Sequence, residues 1–280
     1  MAELDKKIER AIKLIQSAGK IAKEHGQPLE IAYSGGKDSD VILELAKMSG
    51  VEYRAIYKNT TIDQPGTIRH ALDNDVEMVM PKVSFFEIIR KKGFPTRRAR
   101  FCCEVLKEYK ILDYIVLGIR RDESVKRAKR YKEPEVCRTY NKKEKVRQYF
   151  PILDWKKEDV AKFIELRKIK CHPLYYDEKG SFHPERRLGC MCCPLANKNT
   201  RLNEFKKYPN LVKCWIKAGD LFLKNHPNCK TLNKFKNAKE MFFNMVFCKN
   251  YADYLTKTSV DLFGNKLNCE EFINDYFNLR

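Results

Sequence analysis

No apolar run in this chain approaches the roughly 20 residues that a helix needs to cross a bilayer, and no signal-peptide core accompanies the charged first segment. A soluble, cytoplasmic protein without membrane contact is the expectation. Internal repeats and low-complexity linkers are lacking too. So is a Walker A loop, because Lys37 is followed by Asp38 where that motif needs Ser or Thr, and no glycine lies five positions before Gly36. With 43% apolar residues in 280, the chain can bury a substantial core, which excludes wholesale disorder. Eleven cysteines, an odd number in a chain without a secretion signal, read as reduced thiols and metal ligands rather than a disulfide framework.

What stands out is Ser34-Gly35-Gly36-Lys37-Asp38-Ser39, placed between the apolar run 29–33 and the helix-like segment that follows. It reads as strand, glycine turn and helix start. The glycines allow a tight turn and close backbone approach to a ligand, while the first amides of a helix have no partner within it. Those amides, the positive end of the helix dipole, the Lys37 ammonium and the hydroxyls of Ser34 and Ser39 converge on a place suited to phosphate.

Elsewhere strands and helices alternate. Strands are expected at 29–33, 51–57, 76–80, 114–119 and 148–152, each rich in β-branched or aromatic residues, with helical patterns at 2–24, 38–48, 68–71, 85–91, 103–110 and 156–167. This predicts an α/β fold with a doubly wound, mostly parallel sheet, an N-terminal helix and a C-terminal helical extension, its ligand site at the carboxyl ends of the strands. The expected division is a nucleotide-binding domain at 1–200, including the cysteines described next, and a basic helical extension at 201–280.

Cys102 and Cys103 form an adjacent pair just before an expected helix, and Cys190 and Cys193 form a C-x-x-C pair in Gly189-Cys190-Met191-Cys192-Cys193-Pro194. Four thiolates suit tetrahedral zinc or a [4Fe-4S] cluster, and spacing alone does not separate the two metals. Cys192 could replace Cys193. The other six cysteines lack paired spacing and read as structural. The net charge of +19 is large, and residues 91–132 hold fourteen basic against five acidic residues, a net of +9. Such a balance favours anionic partners, from nucleotides to nucleic acid.

The six-residue string resembles the pyrophosphate-binding PP-loop of the ATP pyrophosphatase superfamily, which implies an adenine nucleotide alpha hydrolase-like, Rossmann-like fold and adenylation of a substrate by ATP. Further strings occur in the order found in the phosphoadenosine phosphosulfate reductase family. They are Phe101-Cys102-Cys103 with Lys107, Gly118-Ile119-Arg120-Arg121-Asp122-Glu123-Ser124 with Arg127, Pro151-Ile152-Leu153-Asp154-Trp155, His172-Pro173-Leu174-Tyr175, and Arg187-Leu188-Gly189-Cys190. The resemblance covers roughly residues 29–197. It implies that Cys102, Cys103, Cys190 and Cys193 ligate a [4Fe-4S] cluster and that Gly118, Arg120, Arg121, Ser124 and Arg127 contact nucleotide. Guanidinium groups can hold phosphate or sulfate oxygens bidentately.

Two departures bear on the reaction. Sulfonucleotide reductases of this type carry a nucleophilic cysteine in a C-terminal Glu-Cys-Gly-x-His motif, but here the end reads Leu267-Asn268-Cys269-Glu270-Glu271-Phe272. Their PP-loop also tends to be degraded, whereas here it is intact. The reading is therefore an ATP pyrophosphatase of sulfur transfer, similar to the DNA-phosphorothioation proteins and PP-loop tRNA thiolases, with Lys37 and Asp38 as catalytic residues. Magnesium accompanies ATP in it, and nucleic acid and a sulfur-donor protein are its candidate partners. The alternatives are a sulfonucleotide reductase that uses Cys269 or another thiol, and a non-catalytic nucleotide- or nucleic-acid-binding module.

Overall fold

The computed structural model describes residues 2–140, 143–231, 234–249, 251 and 268–279. The described helices and strands run α1 Ala2–Glu24, β1 Leu29–Tyr33, α2 Lys37–Ser49, β2 Tyr53–Lys58, α3 Thr67–Asp73, β3 Glu77–Val79, α4 Phe85–Lys92, α5 Phe101–Leu106, β4 Tyr114–Val116, α6 Val125–Arg130, β5 Glu135–Tyr140, β6 Glu144–Tyr149, α7 Lys157–Arg167, α8 Lys198–Lys207, α9 Pro209–Asn225, α10 Ala238–Phe247 and α11 Cys269–Phe277.

Six strands form one sheet in the order β3-β2-β1-β4-β6-β5, parallel except for β5, which pairs antiparallel with β6. The expected mostly parallel, doubly wound fold is what the chain adopts. Strand order reverses at β1, whose neighbours are β2 and β4, so the loops leaving β1 and β4 diverge around a crevice at the carboxyl ends of the strands. The antiparallel β5 was not expected, and β6 ends at Tyr149, where a strand had been expected to begin at Gln148.

Contacts divide the chain into two units: residues 1–59, 63–81 and 106–189 form the first, and residues 60–62, 82–105 and 190–280 the second. The sequence reading drew one boundary at residue 200. The segments bearing Cys102, Cys103, Cys190 and Cys193 fall in the second unit, together with the C-terminal helices. Of the expected helical extension, residues 232–233, 250, 252–267 and 280 lie outside the described residues.

In the first unit, alternation along β1 sends Leu29, Ile31 and Tyr33 into a core that includes Ile8, Ala11, Ile15, Ala18 and Ala22 of α1, Val41, Ile42 and Leu45 of α2, and Val160, Phe163 and Ile164 of α7. The apolar residues of α1 recur at three- and four-residue intervals and form one buried stripe. Full burial of an isoleucine such as Ile15 contributes about 1.5–3 kcal/mol. Trp215 of α9 centres the aromatic core of the second unit, with ring centroids 5.1 Å from Phe85, 5.3 Å from Phe94 and 6.0 Å from Phe205. Entry into α4 is fixed by a capping box in which Ser84 and Glu87 bond each other's backbone amides.

Candidate functional site

Between β1 and α2 the chain turns through Ser34, Gly35 and Gly36. Gly35 has φ +75°, and a Cβ there would lie 2.8 Å from Thr67 Cγ2, so no other residue fits without displacement. Gly36 is the N-cap of α2 and supplies no side-chain capping bond. The Ser39 hydroxyl bonds Gly36 O at 2.7 Å and takes a bond from Ser34 Oγ at 3.3 Å, which ties the two ends of the turn together.

Lys37 is 5% exposed, its Nζ lying 3.1 Å from Asp38 Oδ2 and 5.5 Å from the centre of the Tyr175 ring. The Tyr175 hydroxyl accepts from the backbone N–H of Lys37 at 3.3 Å and of Leu188 at 3.4 Å. Asp38 Oδ1 accepts from Arg120 Nε at 2.7 Å. A Cβ on Gly118, in the loop after β4, would stand 2.8 Å from Asp38 O, so glycine there lets the two divergent loops touch. The crevice contains a cavity of about 310 Å³ lined by Ser34, Gly36, Lys37, Asp38, Ser39, Gly118 and Arg127, among others.

Behind the loop lies a buried polar chain that the sequence did not reveal. Asp40 Oδ1 accepts from the Tyr33 hydroxyl at 2.5 Å and pairs with His70 Nε2 at 3.0 Å, and the His70 ring meets His172 edge-on at 5.8 Å. Burial pushes the Asp40 carboxyl above its ordinary pKa against the pull of His70. Burial, then the charge of His70, holds His172 below the ordinary histidine value.

Most of the expected loop residues meet at one cavity, but three arginine-segment residues do not line it. Arg121 donates to Tyr131 O at 2.8 Å, to Lys132 O and to Asp154, so its guanidinium is engaged with its own neighbourhood. Ser124 caps α6 by accepting from Arg127 N–H. Arg120 is 3% exposed and braces Asp38, with Nη1 3.2 Å from Asp122 Oδ2. Conversely, Tyr175, Lys107, Arg187 and Leu188 line the cavity. All four fall within the strings that carried the resemblance, and Glu30, Lys58 and Tyr140 line it with no motif to announce them.

In the second unit, Cys102 and Cys103 lie inside α5 rather than ahead of it. The Cys102 thiol is pushed up, first by its hydrogen bond with Cys103, then by burial and by the charges of Cys103, Cys190 and Cys193. The other three thiols thus act on Cys102. Among the described residues no group of three His, Cys, Asp or Glu side chains is drawn together tightly enough to hold a metal ion. By donor chemistry the set fits a thiolate-bound metal or cluster.

Cys192 differs from its neighbours. It is fully buried at φ +56°, its N–H donates to Glu204 Oε2 at 2.6 Å, and burial raises its thiol. Cys269, at the start of α11, is buried too, and its thiol is pushed up to about 12 by desolvation. Such a thiol is a poor nucleophile. A further cavity of about 950 Å³ is lined by Lys92, Arg97, Arg98 and Arg201 with Phe94 and Phe222.

Residues 28–196 match the phosphoadenosine phosphosulfate reductase domain. The chain belongs to that family. Within it, a protein of Methanocaldococcus jannaschii described as uncharacterized is 31% identical over 231 residues, 76% of this chain and 53% of the relative. The chain thus spans about half the length of that relative. Sulfate adenylyltransferase subunit 2 of Shewanella pealeana is 26% identical over 200 residues, 59% of this chain and 65% of its own. Among solved structures, the tRNA thiolase of Methanococcus maripaludis with its [4Fe-4S] cluster aligns over 94% of this chain and 87% of that one, at 14% identity and a TM-score of 0.40. The family's named members are enzymes. No described helix of this member is long and apolar enough to cross a membrane.

Proposed function

We propose that the chain is an ATP-dependent adenylating enzyme of sulfur transfer with a nucleic acid as its acceptor, working in the cytoplasm, where thiols stay reduced. The observation that carries this reading is the loop between β1 and α2. Its glycine turn, the buried Lys37 and the α2 amino terminus face one cavity at the reversal of strand order.

In this reading the β and γ phosphates of ATP rest on Ser34, Gly35, Gly36, Lys37 and Ser39. Lys37 and the loop amides stabilise the charge that builds on pyrophosphate as an acceptor oxygen attacks the α phosphate. Asp38, whose Oδ1 is held by Arg120, would help hold the magnesium that accompanies ATP. Arg127 borders the same cavity and supplies a further cation for phosphate, with Glu123 as its own partner. Sulfur then displaces AMP from the adenylated acceptor.

Cys102, Cys103, Cys190 and Cys193 are the residues that would hold a [4Fe-4S] cluster, with zinc as the alternative metal. When bound, the cluster would supply a place for sulfide, delivered by a sulfur-donor protein. The nucleic-acid acceptor is supported by the excess of positive charge and by Lys92 and Arg98, which line one cavity together with aromatic side chains. The sulfonucleotide reductase alternative needs an activated thiol, and buried Cys269 offers none.

The test is release of pyrophosphate and AMP from ATP in the presence of candidate acceptors, tRNA and DNA among them. Turnover that depends on acceptor supports the reading. Nucleotide binding without turnover would favour a binding module, and sulfite release from a sulfonucleotide with thioredoxin would favour the reductase.

A further inference from the structure

The face of the sheet opposite the α1–α2–α7 core has a polar end. On β1 the alternation that sends Leu29, Ile31 and Tyr33 into the core turns Glu30 and Ala32 to the other side, where both line the cavity of the phosphate loop. Glu30 is 0% exposed. It sits in register with Ile115 of β4, which in turn pairs with Gln148 of β6, also buried.

The carboxylate is only half satisfied. Glu30 Oε2 accepts from Leu112 N–H at 3.1 Å, whereas Oε1 has no hydrogen bond. Lys58 Nζ stands 3.6 Å from Oε1 and spends one proton on Tyr109 O at 2.6 Å. Gln148 Nε2 donates to Tyr140 Oη at 2.6 Å, and Gln148 Oε1 is likewise unmet. Buried acceptors without partners are rare in native proteins and call for an explanation.

Glu30 precedes Ser34 by four residues, about 13 Å of strand rise. That is within the span of a nucleoside triphosphate whose phosphates lie on the loop. We propose that Glu30 and Lys58 read the base of the bound nucleotide, Glu30 Oε1 accepting a hydrogen bond from the exocyclic amino group of adenine and Lys58 Nζ donating to the adjacent ring nitrogen. This rests on the nucleotide reading given above and adds a specificity element to it. A carboxylate can accept but not donate, so the keto oxygen of hypoxanthine, set where adenine carries its amine, would face it with like polarity. Burial raises the Glu30 pKa, and the charge of Lys58 and the Leu112 amide oppose that rise without cancelling it.

The experiment is calorimetric titration of the full chain, with magnesium, using ATP, inosine triphosphate and inorganic pyrophosphate. The unsubstituted protein should bind ATP roughly 10- to 100-fold more tightly than inosine triphosphate, the range expected for a hydrogen bond to a charged group. Glu30→Gln, whose amide can turn a donor toward a keto oxygen, should collapse that ratio and leave pyrophosphate affinity unchanged. Lys58→Met, as a second variant, should weaken ATP and again spare pyrophosphate. Equal affinity for ATP and inosine triphosphate while pyrophosphate binds, or an undiminished ratio in Glu30→Gln, would overturn the inference and leave the loop assignment standing. Failure of the unsubstituted chain to bind either ATP or pyrophosphate would overturn both.

Discussion

Arg120 Nε holds Asp38 Oδ1 at 2.7 Å, and this pair links the loop that follows β4 to the first turn of α2. Arg120 is nearly inaccessible, so its charge has been taken out of water and depends on Asp38 and Asp122 for compensation. Replacing it with Met leaves Asp38 without that partner. Arg120→Met should lose on the order of 3 kcal/mol in urea unfolding, and Asp38→Asn in the same background should add little. Full additivity of the two substitutions would show that the pair is not coupled.

Lys37→Ala should cut adenylation by on the order of 100-fold or more, the usual effect of removing a positioned donor. Gly36→Val should weaken ATP binding by blocking the approach of phosphate, since even a Cβ there would come within 3.4 Å of Ser34 Oγ and Tyr175 Oη. Normal ATP affinity in both variants would exclude the loop as the nucleotide site.

Freshly isolated anaerobic protein should be brown and carry about four irons per chain. Cys103→Ala should lose iron, whereas Cys192→Ala should retain it, because the Cys192 thiol is enclosed in the interior. Stoichiometric zinc in colourless protein would identify the alternative metal.

Binding to nucleic acid should fall steeply with salt. Six phosphate contacts on duplex DNA would give a logarithmic slope of roughly −5. A titration with duplex DNA, single-stranded DNA and tRNA, with an acidic polymer as control, separates a nucleic-acid acceptor from diffuse attraction. Equal competition by the polymer would remove this support for the acceptor.

Acid should weaken the first unit through His172. Its folded pKa lies below the ordinary 6.5, so its contribution is present above that value and is lost as pH falls through the folded pKa. Its surroundings are His70, Thr67 and, beyond His70, Asp40. Urea midpoints at pH 7 and pH 5 should differ more for the unsubstituted chain than for His172→Gln. An equal fall in both would assign the acid sensitivity to other groups.

The strand, turn and helix around Gly35 and Gly36 were legible because local propensity and burial agree there: four of the five β1 residues are buried and the turn needs positive φ. β5 was not legible. Glu-Val-Cys-Arg-Thr-Tyr carries two charges, four of its six positions are only partly covered and the other two are exposed, so its pairing with β6 is a tertiary choice that hydropathy does not record. Apolar Phe150 and Ile152 drew the expected last strand too far along, whereas they are buried in the turns after Tyr149. The resemblance implied nucleotide contact for Arg121, and its guanidinium here donates to two backbone carbonyls and to Asp154, partners that no motif records. Asp40 carries no motif, and its contacts with Tyr33 and His70 exist only once three segments have met.

The antiparallel β5 also forms an outer margin of the sheet. An unprotected strand margin invites another chain to add itself by backbone hydrogen bonds, which leads to aggregation. Here the last two strands present Glu135, Arg138, Glu144, Lys145 and Arg147, with Arg147 Nε 3.2 Å from Glu135 Oε1. The sheet therefore ends on a margin that carries charges of both signs, while its parallel strands lie inside, away from that edge.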